Sequence, residues 1–78
     1  MTIDYVIKSQ EALSDDECHV VVEIIPESGF NGFSGTVMQF NVDPHSMQQA
    51  IRDRVKWKVQ QETSVSIPDD QIHERTLA

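Results

Sequence analysis

The segment "RDRVKWK", Arg52 to Lys58, gathers four of the chain's six basic residues around its single tryptophan. Basic side chains interleaved with an aromatic ring suit a phosphate backbone with a base to stack on. A second stretch, "GFNGFSG" (29–35), spaces its glycines by three and resembles a phosphate-cradling loop. It lacks the lysine and Ser/Thr of a Walker loop, and no helix start follows it to turn backbone N–H groups toward an anion. It is read instead as a hairpin connection carrying Phe30 and Phe33, with Asn31-Gly32 suited to positive φ.

Other residues with chemical capacity do not assemble into a pattern. Cys18 and His19 are neighbours on an expected strand, so their side chains point to opposite faces. His45 and His73 add no zinc-like spacing, and neither a metal nor another cofactor is expected. "DPHS" clusters Asp43, His45 and Ser46, but helix capping already accounts for Asp43, and nothing resembles a nucleophile elbow. Asp15-Asp16-Glu17 and Asp69-Asp70 read as solvated turns, because an acid/base pair needs a pocket that separates the two pKa values. No catalytic constellation emerges, and the chain is not expected to be an enzyme.

The charge balance opposes a nucleic-acid role. Arg52–Lys58 carries +3, whereas the other 71 residues hold two bases and twelve acids, and the whole chain stands at −7. Most of its surface repels nucleic acid and anionic lipid. The single cysteine excludes an intrachain disulfide. "MTIDYVIKSQEAL" shows no secretory h-region, and the longest apolar run, Val20–Val22, is far below the ~20 residues of a membrane span. A cytoplasmic protein without membrane contact is expected.

The elements that must position these groups are legible in the periodicity. "TIDYVIK" alternates, with Ile3, Tyr5 and Ile7 on one face. The polar "SQEALSDDE" is expected to be a loop. "CHVVVEII" is rich in β-branched residues, with Cys18, Val20, Val22 and Ile24 on one face and Val21 and Ile25 on the other. "FSGTVMQFNV" alternates again, with Thr36, Met38, Phe40 and Val42 together. Asp43-Pro44 then marks a helix start, and the helix is expected to run over 44–62. "SVSI" leans toward a short strand, and a polar tail with helical capacity follows from about residue 68. The expected fold is a single α+β domain over 1–78: two layers, with a three- to four-stranded antiparallel sheet against one long helix.

Helical geometry divides the basic segment. At 100° per residue from Met47, Arg52 and Lys56 fall at about 140° and 180°, and Arg54 and Lys58 at about 340° and 20°. The apolar arc is expected from about 280° (Trp57) through 0° to 120° (Val59). The first pair is then solvated, and the second lies at the core edge. The four cannot form one flat patch, and their place in the second half of the helix matches its dipole. Trp57 sits at the rim, where it either closes the core or anchors a partner.

The pattern of a β-rich start, a glycine hairpin and then "DPHSMQQAIRDRVKWKVQQETSVSIPDDQIH" resembles small proteins encoded by bacteriophages or other mobile elements. The resemblance covers the second half of the chain and transfers no functional residue. It implies a stand-alone protein that acts by binding another protein.

The leading expectation is therefore a non-catalytic interaction module, bound to a protein partner or to itself as a homodimer, with Val21, Ile25, Phe30, Phe33 and Trp57 as contact candidates. A second expectation is an acidic mimic of nucleic acid that occupies a basic groove on its target. It requires Asp15, Asp16, Glu17, Glu23, Glu27, Asp69 and Asp70 to converge on one face. A third is an enzyme or an accessory subunit of one, which would need a concave pocket lined by His45, His73 or Cys18 with convergent carboxylates.

Overall fold

The β-branched run at Cys18–Pro26 forms the strand on which the sheet is built. A computed structural model describes residues 2–27 and 32–75. The strands are β1 (Ile3–Ala12), β2 (Cys18–Pro26), β3 (Thr36–Val42) and β4 (Ile72–Glu74), and the helix α1 spans Met47–Thr63. The sheet order is β3-β2-β1-β4. β2 pairs antiparallel with both β1 and β3, whereas β4 lies parallel to β1. The fold is α+β with one helix on one face of the sheet. The sheet is mixed rather than wholly antiparallel, because the segment after α1 returns across the sheet and enters beside β1 in the same direction.

The alternation read from the sequence sets the faces. Ile3 and Tyr5 from β1, Cys18, Val20, Val22 and Ile24 from β2, and Val42 from β3 are buried with Ile51, Val55 and Val59 of α1. β1 differs from expectation at its second half. Residues Ser9–Ala12, expected in a loop, continue the strand against β2. The register slips between Ile7, opposite Val22, and Ser9, opposite Val21, so Lys8 is an extra residue in a bulge. The bulge shifts the side-chain phase: Ile7 faces the helix opposite Val22, and thereafter Gln10 and Ala12 stand opposite Val20 and Cys18. The turn beyond is closed by the Leu13 and Ser14 N–H groups donating to Glu17 O at 2.9 and 3.1 Å.

The helix starts as expected and slightly later. Asp43 Oδ1 accepts from the His45 N–H at 2.9 Å, capping a 3-10 turn over Pro44–Ser46 that leads into α1. At the other end Ser64 takes a left-handed conformation (φ 61°) and its N–H donates to Gln60 O at 2.8 Å. "SVSI" is not a strand. It is an irregular return whose Ile67 is buried, followed by a 3-10 turn at Asp69–Gln71 and by β4. The expected polar tail is thus anchored by Ile72, which lies fully within the core opposite Ile3.

Two backbone positions with positive φ make opposite demands. A Cβ at Gly35 (φ 107°) would stand 2.5 Å from the Ile24 carbonyl oxygen. Ser64 holds the same hand of conformation without glycine's freedom. Gly35→Ala is expected to destabilise by about 2 kcal/mol or more. Ser64→Gly is expected to stabilise by about 0.5–1 kcal/mol. Chemical denaturation of both variants checks the pair, and equal signs would contradict this account of the two turns.

Candidate protein-interaction site

The roll of α1 about its own axis decides which of its side chains are free. Its buried residues are Ile51, Val55 and Val59. On the helical wheel these centre at about 80°, so the buried stripe is narrower than expected and rolled toward Arg52 by roughly 60°. The cause is the return after α1. Ile67 and Ile72 join the core beside Ile51, Val55 and Val59.

This roll changes the expected division of the basic pairs. Arg52 and Lys56, expected to be solvated, are partly buried, as is Lys58, and Arg54 alone is exposed. Lys56 Nζ donates to Asp69 Oδ1 at 2.9 Å, and Gln49 Nε2 reaches Asp69 Oδ2 at 3.4 Å. These bonds hold the Asp69 carboxyl below its usual pKa, and the same contact raises that of Lys56. Arg52 Nε is enclosed without a hydrogen-bond partner among the described residues. Its positive charge and the Glu74 carboxylate act in opposite senses on the buried Tyr5 phenol. Lys58 pairs with Glu62 at 3.1 Å, one turn along its own helix.

Arg54 is left on the opposite flank. Its guanidinium carbon lies 5.0 Å from the centroid of the Phe40 ring on β3 and 5.6 Å from that of Trp57. Both are cation–π distances. Trp57 is 49% exposed. Ala50, Asp53, Arg54 and Trp57 line a shallow groove of about 530 Å³. A neighbouring depression of about 370 Å³ continues past Trp57 along Gln60 and Gln61. A helix ridge, a stacked cation and the β3 side of the sheet therefore meet in one place. Phe40 faces the core as the alternation predicts, and Arg54 lies at its edge; their stacking with Trp57 is what the separate periodicities do not show. The i,i+3 spacing of Arg54 and Trp57 was the available signal.

The other contact candidates lie elsewhere. Val21 and Ile25 are partly buried on the open face of the sheet, the layer opposite Trp57. Glu23 stands between them on β2, with Val6 and Val37 as its cross-strand neighbours, and pairs with Lys8 at 3.6 Å. A charged pair at the centre of that face breaks its apolar continuity. Phe33 is partly buried against the core. Phe30 lies outside the described residues, as does Asn31 of the expected tight turn. The glycine-rich connection contributes Gly32–Gly35 to a small pocket of about 270 Å³, shared with Thr36 and Glu62. A carboxylate in that wall disfavours phosphate.

The acidic candidates do not converge. Asp15, Asp16 and Glu17 are exposed in the β1–β2 turn, and Glu27 follows the far end of β2. Glu23 is on the open face, and Asp69 is tied to Lys56 with Asp70 beside it on the return. The residues weighed for metal or nucleophilic chemistry are also separated. Cys18 is buried, and His19 Nδ1 lies 2.8 Å from Asn41 Oδ1 on the open face. His45 is exposed at the helix start, and His73 is exposed on the edge strand β4. Among the described residues no helix is long and apolar enough to cross a membrane.

No family model, curated protein or solved structure matches this chain.

Tyr5, the only tyrosine in the chain, reports on the closed side of α1. Burial, and secondarily the Glu74 carboxylate, push its pKa above the 10.0 of a free phenol, against a smaller opposing effect of Arg52. A folded-state pKa above the unfolded value means that this contribution to stability is complete below pH 10 and is lost as pH rises through the folded value. Ultraviolet titration of the tyrosinate band is expected to show a midpoint above 10.0 in the folded protein, returning to it in denaturant. Identical midpoints in the two states would contradict the burial of this phenol.

Proposed function

We infer that this chain is a non-catalytic protein-interaction module whose contact surface is the free flank of α1. The observation that carries the reading is the pairing of Trp57, half exposed, with an Arg54 guanidinium held over both Trp57 and Phe40. Tryptophan and arginine are the residues that most often dominate binding energy at interfaces. Stacking fixes their rotamers in advance, which lowers the ordering cost when a partner arrives. The groove along Ala50 and Asp53 gives that partner an apolar floor with a charge of each sign at its rim.

A phosphate-tracking role has less support. Lys56 and Lys58 are engaged by Asp69 and Glu62, and Arg52 is partly buried with its Nε enclosed. Arg54 alone presents its charge on the free flank. An enzyme that takes this chain as an accessory subunit is one class of partner that the surface suits. A cytoplasmic setting is part of the proposal, and the single buried thiol of Cys18 supports it.

Affinity capture from the native host, followed by mass spectrometry, tests the reading. Trp57→Ala and Arg54→Ala are each expected to reduce recovery of the specific partner by about tenfold or more. Thermal unfolding should shift little, because neither side chain belongs to the buried core. Partner recovery equal to that of the unaltered chain in both variants would sink this assignment.

A further inference from the structure

β3 is the outer strand of the sheet on the side where α1 leaves it least covered. It pairs with β2 alone among the described residues, and the pairing runs without a break from Thr36 opposite Ile24 to Val42 opposite Cys18. Its outward-pointing N–H and C=O groups are therefore available to another extended chain. Edge strands are ordinarily protected by a charge, a proline, a bulge or short length. "TVMQFNV" has none of these over its seven residues. On the opposite side β4 covers only Ile3–Tyr5 of β1, and the rest of the β1 edge is guarded by the bulge at Lys8 and the charges of Lys8 and Glu11. The contrast is sharper because the chain carries so many acids elsewhere.

We propose that the free edge of β3 is a self-association seam, at which two copies of this chain pair their β3 strands antiparallel about a two-fold axis to make one continuous sheet. This rests on the reading of the chain as an interaction module and names its partner as a second copy.

The occupant follows from self-complementarity. A two-fold centred on Gln39 engages the whole strand: Gln39 meets Gln39 of the second copy, Met38 meets Phe40, Val37 meets Asn41 and Thr36 meets Val42. Met38 and Phe40 are only partly buried in one copy, on the helix-facing side of the sheet. Pairing places each against the other's equivalent and extends the core across the seam. Val37, 53% exposed, gains a neighbour on the open face.

The helix flank above β3 is left open as well. Arg54 makes no ion pair among the described residues, whereas Lys8, Lys56, Lys58 and Arg75 each do. Asp53, in the same groove, accepts from the Gln49 amide at 2.9 Å, so Arg54 is the charge left unpaired on this flank. A chain of 78 residues also has little core to spare, and small domains commonly gain stability by pairing.

Sedimentation across a wide concentration series, joined to hydrogen–deuterium exchange, tests the seam. The unaltered chain is expected to reach twice its monomer mass. Amides of Thr36–Val42 are expected to exchange at least about tenfold more slowly in the dimer than at dilution. Gln39→Lys and Val37→Lys sit on exposed positions of the strand and leave the monomer core untouched. Gln39→Lys sets like charges opposite each other at the axis and is expected to raise the dimer dissociation constant about fivefold or more. Val37→Lys, off the axis, should weaken it less. A mass that stays monomeric at every concentration overturns the proposal, as does a dimer indifferent to both lysines with β3 amides unprotected. Either result leaves the Trp57 reading standing if partner capture still depends on Trp57. Loss of that dependence with an intact β3 dimer removes the Trp57 reading and keeps the seam.

Discussion

A single α-helix has to cover four strands, and it is too narrow to do so. Its diameter with side chains is about 10 Å, whereas four strands place their outer axes roughly 14 Å apart. Covering the sheet therefore requires a second element, and the return from Ser64 to Gln71 supplies it with Ile67, before Ile72 enters the sheet beside Ile3. Because that return closes the β1 and β4 side, the remaining shortfall falls on β3. The partial exposure of Met38 and Phe40, the roll of α1, and the position of Arg54 over Phe40 all stem from this mismatch of widths.

The same constraint explains why residues of one type behave differently along one helix. Arg52 and Arg54 are two positions apart and so lie on opposite flanks. One is half enclosed near a buried phenol, and the other lies on two aromatic faces beside solvent. Lys56 and Lys58 repeat the division, the first bonded across to the return and the second to its own helix. None of the basic run reaches the last turn of α1, so the helix dipole does not account for it; the run is distributed over two surfaces with separate roles.

Much of this architecture was legible in the sequence. The alternation of Cys18, Val20, Val22 and Ile24, and of Thr36 through Val42, identified the strands and their buried faces because half-buried strands impose period two. Asp43-Pro44 located the helix start because few other contexts suit that pair. What could not be read depended on partners distant in the chain. Ser9–Ala12 look like a loop by composition and become a strand because β2 is long enough to pair with them, with the Lys8 bulge shifting the phase of the pattern. Ile72–Glu74 holds one apolar residue, too few to show a period, and is a strand because β1 has a free side. The roll of α1 was hidden for the same reason: the arc from Trp57 to Val59 is apolar over more than one flank, and only the return chooses between them. Trp57 was therefore identifiable as a rim residue, while its stacking with Arg54 and Phe40 was not.

The parallel register of Ile3 with Ile72 also shapes how the molecule comes to exist. The β1–β2 and β2–β3 pairings join neighbours in sequence and can form early from hairpin-like contacts. The β1–β4 contact joins the two most distant parts of the described chain, and contacts of that separation slow folding because loop entropy is lost before any bonding is gained. On the ribosome, Ile3 and Tyr5 emerge well before β4 and lack their full cover until residues 72–74 have been synthesised. For that interval the nascent chain carries an incomplete sheet with apolar side chains at its open edge, a form that invites chaperone contact or aggregation. Completion of the sheet thus waits on three residues at β4.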